Sequence, residues 1–217
     1  EKTNYDLTHW NKKYNKDQNS RSNTIDISTH TIRKKMGKSL FSNSSFDKNV
    51  LGVDCTNCQQ TWEVNHKLTG GALKVNSTGL STVKIDLGDL KKDKNYVLTF
   101  KGHANKAGNL AINLRFTNSP WERLSPISTI ELKSDVNNYE TPITLYQDET
   151  EVSLIINAYE DNITYWLDNI EFTEAEVSFI NPDEVMLFEF NPTKVHKTIT
   201  LEGTYVNAKL EQFSGNV

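Results

Sequence analysis

Leu110-Ala111-Ile112-Asn113-Leu114-Arg115-Phe116-Thr117 alternates without a slip: the even positions are large and apolar, the odd ones small or polar. A period of two is the mark of a strand with one face in a core and the other in water. The pattern recurs. Val152, Leu154, Ile156 and Ala158 alternate with Ser153, Ile155, Asn157 and Tyr159, and Tyr96, Leu98 and Phe100 alternate with Thr99, Lys101 and His103. Weaker runs predict further strands at Thr61–Asn65, Ala72–Asn76, Thr82–Leu87, Ser128–Leu132, Ile143–Tyr146 and Thr164–Phe172. Turn formers separate them, among them Thr69-Gly70-Gly71, Gly88-Asp89, Asn118-Ser119-Pro120 and Glu160-Asp161-Asn162. Many short strands without strand–helix alternation define an all-β fold, an antiparallel β-sandwich of jelly-roll type with irregular flanking segments.

Three zones follow. Residues 1–39 are polar and irregular, with a helical leaning only at Asp6–Asn15; residues 40–175 carry the strand pattern; residues 176–217 add strand-like runs at Val185–Phe190 and Thr198–Leu201. The basic run Arg33, Lys34, Lys35 and Lys38 lacks interleaved aromatics and reads as a solvated linker. A chain of 217 residues with a formal net charge of −4 has no global attraction for nucleic acid. No apolar run is long enough to span a bilayer. A single CxxC, Cys55 and Cys58, cannot supply four ligands to a structural zinc. The favoured reading is a short loop disulfide formed outside the cytosol, with two free thiols as the alternative. It implies a secreted or cell-surface protein.

The polar sides of three strands offer a binding surface. Lys101, His103, Asn113, Arg115, Asn157 and Tyr159 would line one sheet face if those strands are neighbours. Planar hydrogen-bonding groups and aromatic faces are what sugar hydroxyls and C–H surfaces require. Arg115 and Lys101 also suit the carboxylate or sulfate of an anionic or sulfated polysaccharide. Trp121, with Arg123 beside it, lies in a turn-rich loop, where it either stacks on a sugar ring or folds back over the core. Trp62 and Trp166 read as core. Asp168 shares nominal parity with Trp166, Ile170 and Phe172, and a carboxylate on an apolar face is costly unless it is paired or metal-bound. GxSxG, HExxH and a Gly-rich phosphate loop are all missing from the sequence. The expectation is therefore a non-catalytic chain. A jelly-roll lyase using His103, Arg115 and Tyr159 is the enzyme alternative, and a structural or adhesin sandwich is the third reading.

The central zone opens with Asn43-Ser44-Ser45-Phe46-Asp47. Trp62 follows, then Gly70-Gly71-Ala72-Leu73-Lys74-Val75, Asn95-Tyr96-Val97-Leu98-Thr99-Phe100, and finally Trp166-Leu167-Asp168-Asn169-Ile170. In order and spacing this resembles the jelly-roll carbohydrate-binding modules of the family four and nine type. The resemblance implies polysaccharide binding, and a structural Ca2+ held by Asp47 and Asp168 with backbone carbonyls. The flanks, Asp6-Leu7-Thr8-His9-Trp10 and Phe188-Glu189-Phe190-Asn191-Pro192-Thr193 with Leu201–Tyr205, are similar to a segment of large Bacteroidetes-type glycan-degrading proteins. That implies a module inserted in such a protein and covalently attached to an upstream catalytic domain.

Overall fold

The computed structural model describes residues 12–15, 30–65, 67–68, 70–181, 186–187, 192–193, 195–207 and 211–217. The chain divides into two compact units, His30–Phe179 and the pair of flanks Glu1–Thr29 with Ile180–Val217.

The first unit is antiparallel throughout. Its strands are β1 (His30–Met36), β2 (Val53–Val64), β3 (Gly71–Leu90), β4 (Asn95–Ala104), β5 (Gly108–Phe116), β6 (Ser128–Leu132), β7 (Asn137–Thr144), β8 (Glu149–Ala158) and β9 (Ile163–Phe179). They form one continuous nine-stranded sheet. Long β3 and β9 let it fold over on itself. Ser81–Leu90 of β3 pairs with β8, which continues through β5 to β6. Leu73–Ser77 of β3 pairs instead with β9, which continues through β4 to β7. The two wings face each other as the layers of a sandwich. β2 borders both wings through β3, and β1 pairs with the far half of β9.

The core is what the alternation demands. Leu110, Ile112 and Leu114 of β5, Leu154 and Ile156 of β8, Val83 and Ile85 of β3, Leu98 of β4 and Tyr165, Leu167 and Phe172 of β9 are all fully buried. Each such aliphatic or aromatic side chain contributes roughly 1.5–3 kcal/mol relative to exposure. Tyr96 stacks on Phe172 at 5.4 Å and Phe100 on Tyr139 at 5.1 Å between ring centroids.

The structure departs from the sequence reading at several points. The basic run is no linker: Arg33, Lys34 and Lys35 lie in β1, where Lys35 Nζ reaches Glu171 Oε2 and Thr99 Oγ1, both at 3.1 Å. The predicted strands Ala72–Asn76 and Thr82–Leu87 are one strand, β3. The strand expected at Ile143–Tyr146 runs earlier, as β7. Cys55 and Cys58 are disulfide-bonded, and they lie within β2 rather than in a loop, spanning the bulge at Asn57 (φ 55°) with a Cα–Cα distance of 5.7 Å. Trp62 is not core but 40% exposed, its Nε1 donating to the Phe46 carbonyl at 2.6 Å. Trp166 faces outward too. Asn169 (φ 51°) breaks the alternation of β9. Core residues therefore fall at Ile163, Tyr165 and Leu167 before it and at Ile170 and Phe172 after it. Asp168 is 1% exposed but sits opposite Lys101, off the core parity.

In the second unit residues 12–14 form a single helical turn, and β10 (Thr200–Val206) and β11 (Gln212–Asn216) make an antiparallel hairpin that replaces the strand expected at Thr198–Leu201. The rest of Asp6–Asn15 and most of Val185–Phe190 lie outside the described residues. Among the described residues no helix is long and apolar enough to cross a membrane.

Gly71 shows how tightly the sandwich end is closed. A Cβ there would overlap the Phe46 carbonyl oxygen and the Trp62 ring. Gly71→Ala should destabilise the unit by about 1–3 kcal/mol, as overpacking does. Urea unfolding followed by tryptophan fluorescence measures it, and an unchanged midpoint would refute this account of the closure.

Candidate functional site

The outer face of the first wing is built by cross-strand rows. One row runs Thr56, Thr82, Asn157, Ala111, Thr129. The next runs Asp54, Lys84, Ile155, Asn113, and the third Asp86, Ser153, Arg115, Arg123. These side chains point away from the core, yet the middle of the face is nearly inaccessible: Asn113 is 1% exposed, Ser153 0% and Asn157 5%. The middle of the face is therefore a strip of buried polar side chains. From Asn157 to Ser153 along β8 the strip spans about 13 Å.

Hydrogen bonds organise it. Thr82 Oγ1 donates to Asn157 Oδ1 at 2.7 Å, and Ser153 Oγ donates to Asp86 Oδ1 at 2.6 Å. Lys84 Nζ lies 3.3 Å from Asp86 and 3.6 Å from Asp54. Arg115 Nε donates to Asn113 Oδ1 at 3.1 Å, while Asn113 Nδ2 has no protein partner. Exposed aromatics stand at the two ends. Tyr159, 56% exposed, follows Asn157 past the end of β8; Trp121, 58% exposed, belongs to the loop whose return stretch pairs with β5 at Arg115. Of the two readings of Trp121, the structure has the exposed one.

The six residues expected to share a face do not. Asn113, Arg115 and Asn157 lie on the first wing with Tyr159 just beyond it, and Arg123 and Trp121 join them. Lys101 and His103 lie on β4, in the second wing, because β4 pairs with β7 and β9 and never with β5. The lyase set His103, Arg115 and Tyr159 is split in the same way. Thr82, Lys84, Asp86 and Ser153 were missed as members of the site; their alternation was visible, but the strand order that joins them was not.

Around His103 the second wing presents a second network, in which His103 Nδ1 has no hydrogen-bond partner. The His103 and Trp166 rings stack at 4.7 Å with 11° between planes. Trp166 Nε1 donates to Glu63 Oε1 at 3.1 Å, and Lys74 Nζ holds Glu63 Oε2 at 2.7 Å while lying 5.5 Å from the Trp166 ring centroid. The Lys74 ammonium lowers the Glu63 carboxyl below its usual range. Asn65 Nδ2 lies 3.0 Å from His103 Nε2, and burial with the nearby Lys67 charge pushes the imidazole pKa down. With His103 on one side of its ring and Lys74 on the other, Trp166 is no open platform.

Below that network, Asp168 accepts from its neighbour's backbone N–H at 2.7 Å and from Asn169 Nδ2 at 3.1 Å. Burial raises its pKa, and the negative charge of Asp47 raises it further, against the Asn169 N–H and Lys101. Among the described residues no three His, Cys, Asp or Glu side chains converge on a common point, so a cation there would need backbone carbonyls beside the two carboxylates.

No family model matches the chain, and no curated protein matches it. Solved structures do. The xylan-binding domain CBM22-1 of a Paenibacillus barcinonensis protein superposes with a TM-score of 0.52 at 9% identity, covering 66% of this chain and 98% of that one. A CBM61 module in complex with β-1,4-galactotriose gives 0.50 at 9% identity, covering 64% and 99%. An arabinose-bound α-L-arabinofuranosidase gives 0.54 at 10% identity, over 63% of this chain; the match spans 26% of that chain's length. At such identities the shared property is the fold: an antiparallel β-sandwich of the kind that carbohydrate-binding modules adopt.

Proposed function

We propose that His30–Phe179 is a non-catalytic carbohydrate-binding module, and that a polysaccharide lies along the outer face of the first wing. One observation carries this. The strip and its edge carry the unpartnered Asn113 amide nitrogen and the guanidinium groups of Arg115, engaged only through Nε, and Arg123, between two exposed aromatics, Trp121 and Tyr159. Sugars need that combination of fixed planar donors and apolar ring faces. The fold shared with xylan-binding and galactotriose-bound modules supports the same reading. The grouping of both flanks in one separate unit supports a module inserted in a larger glycan-degrading protein, which it would target to its substrate. The Cys55–Cys58 disulfide supports a secreted or cell-surface location.

Affinity electrophoresis of the whole chain against a panel of plant and marine polysaccharides tests the function. At least one gel should retard the protein without releasing reducing ends or unsaturated products. Trp121→Ala and Tyr159→Ala should each weaken binding by about 0.5–1.5 kcal/mol, roughly 2- to 10-fold, with unchanged melting. Retardation by none of the polysaccharides, or product release, would overturn the reading.

The reading includes a structural Ca2+. Asp168 is buried with its charge poorly compensated, Asp47 lies close enough to add to that strain, and hard carboxylate and carbonyl oxygens are the ligands calcium takes. Asp47 and Asp168 would hold the ion, which would offset their mutual repulsion and fix the end of the sandwich. Saturating calcium, at about a hundred times its Kd, should add about 2.7 kcal/mol of stability over an EDTA-treated sample. Asp168→Asn should abolish that gain. Equal melting temperatures with calcium and with EDTA would dismiss the ion.

A further inference from the structure

Resting on that assignment of the binding face, we infer that the Arg115–Arg123 end of the strip is an oxyanion subsite, so that the preferred polysaccharide is acidic. The backbone sets the geometry. Phe116 N donates to Glu122 O at 3.1 Å and Leu124 N to Leu114 O at 2.8 Å. These two bonds enclose Arg115 and Arg123, which makes them a non-hydrogen-bonded antiparallel pair, the type whose side chains approach more closely. Both arginines therefore rise from the same face side by side. Like charges placed directly opposite destabilise a sheet.

Five lysines of this unit are ion-paired: Lys35, Lys74, Lys84, Lys91 and Lys94 each hold a carboxylate within 4 Å. Arg123 has neither an ion pair nor a hydrogen bond, and Arg115 gives only its Nε, to Asn113. Of the acids beside them, Asp86 is engaged with Lys84 and Ser153, and Glu151 with Asn118. Asn113, 1% exposed with Nδ2 unpartnered, stands next along β5 and adds a buried donor. Two adjacent forks and an amide match one carboxylate or sulfate ester. The chain's net charge of −4 gives no global pull on a polyanion, so any such preference must be local.

Titration calorimetry on the whole chain tests this with paired glycans: polygalacturonate against its methyl ester, and a sulfated galactan against the unsulfated one. The acidic member of at least one pair should bind at least about tenfold tighter at low salt, and its affinity should fall as ionic strength rises from about 10 mM to about 500 mM. Which pair responds separates carboxylate from sulfate. Arg115→Ala and Arg123→Ala should each weaken the acidic ligand about 10- to 100-fold, and by a clearly larger factor than they weaken the neutral one. Arg123 is exposed, so its variant carries the test even where Arg115→Ala fails to fold. Equal, salt-independent binding of acidic and neutral glycans, indifferent to both substitutions, would overturn the acidic subsite and leave glycan binding standing. If neither kind of glycan binds, both fail.

Discussion

A twenty-residue strand cannot remain flat. β3 begins with β9 as its neighbour and ends with β8, so a single segment of backbone belongs to both layers of the sandwich. Everything else hangs on that exchange. It creates two inner faces that bury each other's aliphatic residues, and it leaves two outer faces of different character. On one, the Lys74–Glu63 ion pair flanks the stacked His103–Trp166 pair. On the other, Arg115 and Arg123 stand side by side as a cross-strand pair. The two faces thus differ in how their charges are arranged rather than in composition, since both carry amides, cations and aromatic rings.

The alternation in Leu110–Thr117, Val152–Tyr159 and Tyr96–His103 was enough to read the fold class and the core, because period two is a local property of the chain. Two kinds of information were not local. Parity tells which side of a strand a residue occupies but not which strand lies beside it, so Lys101 and His103 were grouped with residues on the opposite wing. A bulge shifts parity without a strong residue signal. Nothing about Asn169 announces that Trp166 and Asp168 point differently from Ile170 and Phe172. β1 was hidden for a third reason. Among the described residues it is an edge strand, paired with β9 alone and largely solvated, so charge could replace the hydrophobic pattern.

The candidate site was legible in its residue types and incomplete in its extent. Asn113, Arg115, Trp121, Arg123, Asn157 and Tyr159 were nameable from the sequence, whereas Thr82, Lys84, Asp86 and Ser153 entered only once β3 and β8 were known to be partners. The closeness of Arg115 and Arg123 is a product of the loop between them, which turns back after Trp121 and runs antiparallel beside β5.

The disulfide in β2 has a bearing on colloidal behaviour. Among the described residues β2 pairs with β3 alone, which leaves its other backbone edge without a partner strand, and an open ladder edge is where a foreign strand can dock. The bulge at Asn57, pinned by Cys55 and Cys58, cuts that edge into the runs Val53–Thr56 and Cys58–Val64, which no straight incoming strand can follow in one register. A covalent link three residues long does little for the entropy of the unfolded chain. What it does locally is hold the bulge, and with it the break in register along that border of the sheet.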